Sequence, residues 1–139
     1  MPQLEPVVLA LASDEAYFPG LYCAVASALR TVDPTREVEV KVLDGGLSQP
    51  SRDSLARLIE GTGLHTPLDF VKADPSVFEE ATLGPGQSHM AYFRILLPQL
   101  LDIRRVIYLD CDVLVFRDFS KLFDTRLLPG NVVAAVPDS

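Results

Sequence analysis

Apolar runs of strand length alternate along this chain with segments whose apolar residues recur at helical spacing. Residues 7–12 form a continuous apolar run, which is typical of a strand buried on both faces. Residues 21–30 then have helical periodicity, and Asp33-Pro34 ends that helix because proline cannot continue it. Such alternation favours a mostly parallel sheet covered by helices on both faces. We therefore predict one α/β domain over residues 1–139.

The remaining elements follow from the same patterns. Ser88 is a suitable N-cap for a helix over 90–101, which is apolar on most faces, and Pro98 should kink or split that helix. The other predicted elements are strands at 38–43, 68–71, 106–109 and 132–136, a helix that begins near Ser48 or Ser51, and a short helix at 119–123.

A polar insert, Asp110-Cys111-Asp112, interrupts the apolar run at 106–115. Two carboxylates two residues apart on extended backbone point to the same side. At that separation they repel each other unless a cation or a proton lies between them. Oxygen ligands suit Mg²⁺, Ca²⁺ and Mn²⁺, so the insert favours a metal site at a strand end. The alternative is an aspartate-rich turn where a strand leaves the core.

Further acidic residues follow other predicted strands. Asp14, Asp44 and Asp138 each come at or just after a strand end, as the Asp110–Asp112 pair does. Ligands of parallel sheets bind beyond the carboxyl ends of the strands. The pattern predicts an acidic cleft that binds a cation, although the preference of aspartate for turns explains any one position by itself.

Composition excludes some classes of function. The net charge of −7 argues against nucleic acid as a partner, and no apolar run reaches the ~20 residues that a membrane-spanning helix requires. The N-terminus lacks the basic and apolar regions of a signal peptide. The two cysteines, Cys23 and Cys111, lack metal-type spacing. We expect a cytoplasmic protein with reduced thiols.

Several segments together resemble the N-terminal half of glycosyltransferase family 8, which includes bacterial lipopolysaccharide galactosyl- and glucosyltransferases and glycogenin. The most specific are Tyr108-Leu109-Asp110-Cys111-Asp112 and the upstream Tyr92-Phe93-Arg94. The other matching segments, in chain order, are 7–17, 24–29, 42–48, Ser88 and 134–138.

The resemblance implies a GT-A-type, Rossmann-like fold and a retaining, metal-dependent transfer of glucose or galactose from a UDP-sugar to a glycan or lipid-linked saccharide. Such a reaction belongs to the cytoplasm, including the inner face of the membrane. The implied site residues are Asp110 and Asp112 for Mn²⁺ or Mg²⁺, Ala12, Asp14, Tyr17 and the Cys111 backbone for the nucleoside, and Arg94 and Asp138 for the donor sugar.

The family pattern also extends beyond this sequence. Its C-terminal half carries a histidine as third metal ligand, a lysine that binds the diphosphate and much of the acceptor site. We therefore expect a truncated domain, exposed apolar surface and self-association. Two alternatives remain open: an inactive or binding-only fragment, and a haloacid-dehalogenase-like phosphohydrolase, which also has a strand ending in aspartate-x-aspartate.

Overall fold

The computed structural model describes residues 4–82, 84 and 88–135. Within them, four strands form one sheet in the spatial order β3-β2-β1-β4, and every neighbouring pair is parallel. The strands are β1 (Val7–Ser13), β2 (Val38–Asp44), β3 (Leu68–Lys72) and β4 (Ile107–Tyr108). The predicted parallel α/β fold is confirmed.

Helices connect the strands and continue beyond the last one. They are α1 (Phe18–Thr31), α2 (Gln49–Gly61), α3 (Phe93–Leu100) and α4 (Ser120–Asp124). Short 3-10 turns occur at Glu15–Tyr17, Pro75–Phe78 and His89–Tyr92. Among the residues that the structure describes, no helix is both long and apolar enough to cross a membrane.

Strand β1 is the centre of the core because all seven of its residues are buried. Its alternate side chains point to opposite faces of the sheet. Leu9 belongs to the cluster formed with α1, α2 and α4, whereas Ala10 belongs to the cluster formed with α3. The sheet is thus covered on both faces, so a ligand can approach it only at the ends of the strands.

Backbone hydrogen bonds join the carboxyl ends of β1, β2 and β3. The Gly45 amide donates to the Ser13 carbonyl at 2.9 Å, and the Ala73 amide donates to the Asp44 carbonyl at 2.9 Å. On the other side of β1, the Leu109 amide donates to the Ala10 carbonyl at 3.0 Å. The loops that follow β1 and β4 therefore begin side by side.

Strand β4 is much shorter than the apolar run that predicted it. Only Ile107–Tyr108 pairs with β1, and the chain then turns, with the Val113 amide 3.3 Å from the Asp110 carbonyl oxygen. The prediction of an aspartate-rich turn at a strand end is therefore right in its geometry, and a turn of this kind does not exclude a metal.

The predicted helix over 90–101 is divided at a different place from the one expected. The break falls between the His89–Tyr92 turn and α3, and Pro98 lies inside α3. Since proline donates no amide hydrogen, α3 lacks the helical hydrogen bond that another residue at position 98 would donate to the Arg94 carbonyl. The helix is also less buried than its composition suggested, because Ile95 is 64% exposed.

The predicted strand at 132–136 is wrong for the residues that the structure describes. Residues 131–135 have no regular secondary structure, and the side chains of Val132 and Val133 are 90% and 72% exposed. Position 136 lies outside the described residues. A β-rich sequence forms a strand only where a neighbouring strand supplies hydrogen bonds, and none pairs with 131–135 in the described part of the chain.

Candidate functional site

A cleft of about 210 Å³ opens at the carboxyl ends of β1 and β4. Most of the residues that line it come from three segments: the end of β1 with its loop, the start of α3, and the turn after β4. The lining residues are Ala12, Ser13, Tyr17, Ser88, Met90, Ala91, Arg94, Tyr108, Asp110, Cys111 and Asp112. The cleft thus brings together six of the eight predicted site residues.

A larger depression of about 570 Å³ lies away from this cleft. It is formed by the C-terminal ends of α1 and α2, and its charged lining residues are Arg30 and Arg57. None of the predicted site residues that the structure describes lies there. The smaller cleft is the better candidate because it combines carboxylates, a guanidinium and an aromatic ring at the edge where parallel sheets bind ligands.

The turn that carries Asp110 and Asp112 is held between β1 and α1. Both carboxylates line the cleft. The carbonyl oxygen of Cys111 lies so close to Gly20 that a Cβ atom at that position would overlap it. Glycine near the start of α1 therefore allows the turn to pack directly on the helix backbone.

Arg94 reaches from the first turn of α3 to this pair of carboxylates. Its Nη2 lies 2.9 Å from Asp110 Oδ1, its Nε donates to the Ala91 carbonyl at 2.8 Å, and its guanidinium lies 5.3 Å from the centre of the Tyr108 ring. The Arg94 and Asp110 side chains are 46% and 43% exposed. Such a pair adds only about 0–1 kcal/mol to stability, so its main effect is to set the geometry of the cleft.

Asp14 connects the loop after β1 to the segment before α3. Its Oδ2 accepts a hydrogen bond from Ser88 Oγ at 3.0 Å, and its Oδ1 accepts one from the Tyr17 amide at 3.2 Å. Ser88 Oγ also accepts from the Met90 amide at 3.2 Å. Ser88 is thus the predicted cap and, in addition, a partner of Asp14. Tyr17 lines the cleft and is 39% exposed.

Glu15 fixes the same loop from its other side, a role that sequence reasoning missed. Its carboxylate accepts hydrogen bonds from the Ser48 amide at 2.8 Å, from Ser48 Oγ at 2.9 Å and from Ser51 Oγ at 2.8 Å. These bonds, led by the one from the Ser48 backbone, lower the pKa of Glu15. The loop is therefore anchored to the start of α2.

Asp44 has a structural role and does not line the cleft. It is only 5% exposed, and its Oδ1 accepts hydrogen bonds from the amides of Gly46 at 2.9 Å and Leu47 at 2.7 Å. Arg52 Nη2 lies 2.6 Å from its Oδ2. Here the preference of aspartate for turns explains the sequence pattern. Asp138, the other predicted acidic position, lies outside the described residues.

Two ionisable groups of the cleft are kept in their neutral forms. Burial, with the charge of Asp110, raises the pKa of the Tyr108 hydroxyl. Burial, with the charge of Asp112, raises the pKa of the Cys111 thiol. Asp110 and Asp112 supply oxygen donors to the lining of the cleft. Tyr108 was identified only as part of a motif, and its position beneath Arg94 depends on tertiary structure.

The donor set fits a hard divalent cation. Within residues 4–82, 84 and 88–135, no three histidine, cysteine, aspartate or glutamate side chains gather into a metal-binding group. Mg²⁺ in nucleotide sites is commonly held by one or two carboxylates, with water and substrate phosphates completing the coordination. Asp110 and Asp112 match that pattern in number and chemistry, since both residues line the same cleft.

Residues 8–139 match the family model of glycosyl transferase family 8. The chain belongs to this family. Its membership confirms the resemblance that the sequence motifs indicated and sets aside the phosphohydrolase alternative.

Relatives in this family include two bacterial proteins. General stress protein A of Bacillus subtilis strain 168 is 35% identical over 130 residues, which are 91% of this chain and 44% of the relative. The glycosyltransferase GlyF of Streptococcus pneumoniae serotype 4 is 28% identical over 130 residues, which are 94% of this chain and 31% of that protein. The chain thus spans less than half the length of these relatives.

A solved structure shares both the fold and part of the sequence. The galactosyltransferase LgtC in complex with donor and acceptor sugar analogs superimposes with a TM-score of 0.78 at 30% identity, over 86% of this chain and 43% of LgtC. The bifunctional glycosyltransferase WbbM has the same fold, with a TM-score of 0.73 at 22% identity, over 91% of this chain and 22% of that one.

Proposed function

We propose that this chain forms the donor-binding part of a retaining hexosyltransferase that takes glucose or galactose from a UDP-sugar with Mn²⁺ or Mg²⁺. The observation that carries the proposal is the meeting of Asp110, Asp112 and Arg94 with Ala12 and Tyr17 in one cleft. A nucleotide-sugar needs the same combination. Its base needs an apolar and aromatic surface, and its diphosphate needs positive charge, here from Arg94 and from a cation held by the two carboxylates.

The nucleoside fits the end of the cleft nearest β1. Ala12 and Tyr17 offer apolar and aromatic surface to the uracil. Asp14 is held in place by Ser88 and the Tyr17 amide, and its carboxylate can accept hydrogen bonds from ribose hydroxyls or the uracil N–H. Cys111 lines the same space, and we assign its backbone to the nucleoside, as the family resemblance implies.

The diphosphate fits the end nearest Asp110 and Asp112, which would hold the metal. A divalent cation there supplies Lewis-acid stabilisation of the charge on the UDP leaving group. Arg94, which the family resemblance assigns to the donor sugar, lines the same cleft and can also offer a positive group to the phosphates. Charge-assisted hydrogen bonds from arginine to phosphate are strong and directional. We assign Asp138 to the donor sugar near the reacting carbon, as the family resemblance implies.

The proposal also includes an acceptor and a cellular location. We propose a glycan or lipid-linked saccharide as acceptor, in lipopolysaccharide assembly, with the reaction in the cytoplasm and at the inner face of the membrane. A binding-only role is the second candidate function. It is favoured by the fact that the chain spans 44% of the length of its Bacillus subtilis relative.

The proposal is tested by titrating UDP with and without Mn²⁺ and by measuring UDP release from UDP-glucose and UDP-galactose. We expect UDP to raise the thermal midpoint in Mn²⁺ but not in EDTA, and UDP release to be slow. Binding without release supports the binding-only role. Equal shifts in Mn²⁺ and EDTA would show that the nucleotide binds without the proposed metal, and no shift in either would overturn donor binding.

We also propose that the chain self-associates through exposed apolar side chains of residues 113–133, the segment that follows the turn with Asp110 and Asp112. Large exposed side chains concentrate there: Val113, Leu114, Phe116, Leu122, Leu127, Leu128, Val132 and Val133. Phe116 is 82% exposed and Leu128 is 73% exposed. A concentration of exposed apolar residues is typical of interaction surfaces.

Light scattering over a range of concentrations tests this surface. We expect the average molecular mass of the wild type to increase with concentration. The double variant Phe116→Ser/Leu128→Ser should show a smaller increase. Val77→Ser is a matched control, since Val77 is 62% exposed in a different segment, and it should behave like the wild type. A wild-type chain that stays monomeric at every concentration would contradict the proposal.

A further inference from the structure

Arg94 forms an ion pair with a carboxylate that the proposed metal site needs as a ligand. Arg94 Nη2 contacts Asp110 Oδ1 at 2.9 Å, and Asp110 is one of the two carboxylates proposed for the metal. A carboxylate oxygen that accepts a hydrogen bond from a guanidinium has less lone-pair density to offer a cation, and the two positive groups repel each other at short range.

We propose that Arg94 is an internal counter-cation of Asp110, which a divalent metal displaces when it binds, so that the arginine is released towards the anionic donor. The proposal rests on the proposed function, because it requires Asp110 to be a metal ligand. It adds an order of events: metal binding breaks the Arg94–Asp110 ion pair, and the freed guanidinium then contributes to holding the diphosphate.

The surroundings of Arg94 allow this exchange at small cost. The ion pair is half exposed, so water can solvate both groups once they separate. The Nε contact with the Ala91 carbonyl and the face of Tyr108 hold the base of the guanidinium independently of Asp110. The arginine can therefore exchange one anionic partner for another with little movement.

Charge balance gives the exchange a purpose. Without metal, Asp110 and Asp112 would repel each other and any phosphate, and Arg94 offsets part of that charge through its ion pair with Asp110. With metal bound, Asp110 is neutralised by the cation. The phosphate then meets two positive groups in place of one, so metal and UDP should each favour the binding of the other.

Mn²⁺ binding to the full chain without nucleotide, measured by calorimetry or by the electron paramagnetic resonance of free Mn²⁺, tests the exchange directly. Arg94→Gln should bind Mn²⁺ about two- to five-fold more tightly than wild type, since the competing half-exposed ion pair is gone. The same variant should bind UDP in saturating Mn²⁺ about tenfold more weakly, since a charge-assisted hydrogen bond is lost. The affinities of Arg94→Lys for Mn²⁺ and for UDP should lie between those of the wild type and those of Arg94→Gln.

Arg104→Gln controls for net charge, because Arg104 has a 93% exposed side chain and lies outside the cleft. It should leave both affinities unchanged. If Arg94→Gln binds Mn²⁺ no more tightly than wild type, while Asp110→Asn still abolishes that binding, the exchange is overturned and the proposed function stands. If the wild-type chain binds no Mn²⁺, with or without UDP, both are overturned.

Discussion

Replacing Asp110 and Asp112 together by asparagine should abolish the metal-dependent part of UDP binding. Both residues line the cleft, and they are the two metal ligands that we propose. Loss of a mere outer-shell partner commonly lowers metal affinity by 10–100-fold, so loss of both direct ligands should exceed about 100-fold. Asparagine keeps the shape of the side chain, which limits the change to charge and coordination.

The effect should appear only when metal is present. In EDTA the double variant should bind UDP no worse than wild type, because two negative charges near the phosphates are gone. Glu60→Gln/Asp102→Asn makes the same change of net charge outside the cleft and should retain the Mn²⁺-dependent shift in thermal midpoint. A double Asp110/Asp112 variant that keeps this shift would show that the metal assignment is wrong.

Much of the fold follows from local sequence patterns. The apolar run of β1 predicts a buried strand, and all seven residues of Val7–Ser13 are buried. The alternation of strands and helices predicts parallel pairing, which the registers of β1 with β2 and β4 confirm. Period and composition suffice here because burial on both faces leaves few other arrangements for such segments.

The errors arise where a pattern depends on a distant partner. Residues 132 and 133 have the sequence of a strand but are exposed, since nothing in the described chain pairs with them. Ile95 has the hydropathy of a core residue but lies on the open side of α3. Hydropathy predicts what a residue prefers, whereas its burial depends on what the rest of the chain supplies.

The residues of the cleft, too, fall into those that local sequence predicts and those that depend on a distant partner. The motif alone identifies Asp110 and Asp112, and the position of Asp14 at a strand end follows from topology. The Glu15 contact with Ser48 joins residues 33 positions apart, and the Arg94 contact with Asp110 joins residues 16 apart. No periodicity links such pairs. Their discovery requires the fold, and the proposed exchange at Arg94 depends on one of them.

Gly20→Ala should disturb the metal-carrying turn without changing any ligand. Gly20 lies in the first turn of α1, where alanine ordinarily stabilises a helix by about 0.5–1 kcal/mol relative to glycine. Here the new methyl group would overlap the Cys111 carbonyl oxygen, and that backbone atom cannot rotate away as a flexible side chain could. We expect a loss of about 1–3 kcal/mol in the free energy of unfolding, the usual cost of overpacking.

The same substitution in open space separates this overlap from helix propensity. Gly61 is the last residue of α2 and has no atom within 4 Å of an added Cβ, so Gly61→Ala should be neutral or slightly stabilising in urea denaturation. Because the turn moves away from α1, Gly20→Ala should also weaken Mn²⁺-dependent UDP binding, whereas Gly61→Ala should not. If both variants are equally stable and bind UDP equally well, the contact between Gly20 and Cys111 does not position the two aspartates. A variant that is destabilised but binds normally would limit the role of this contact to the fold.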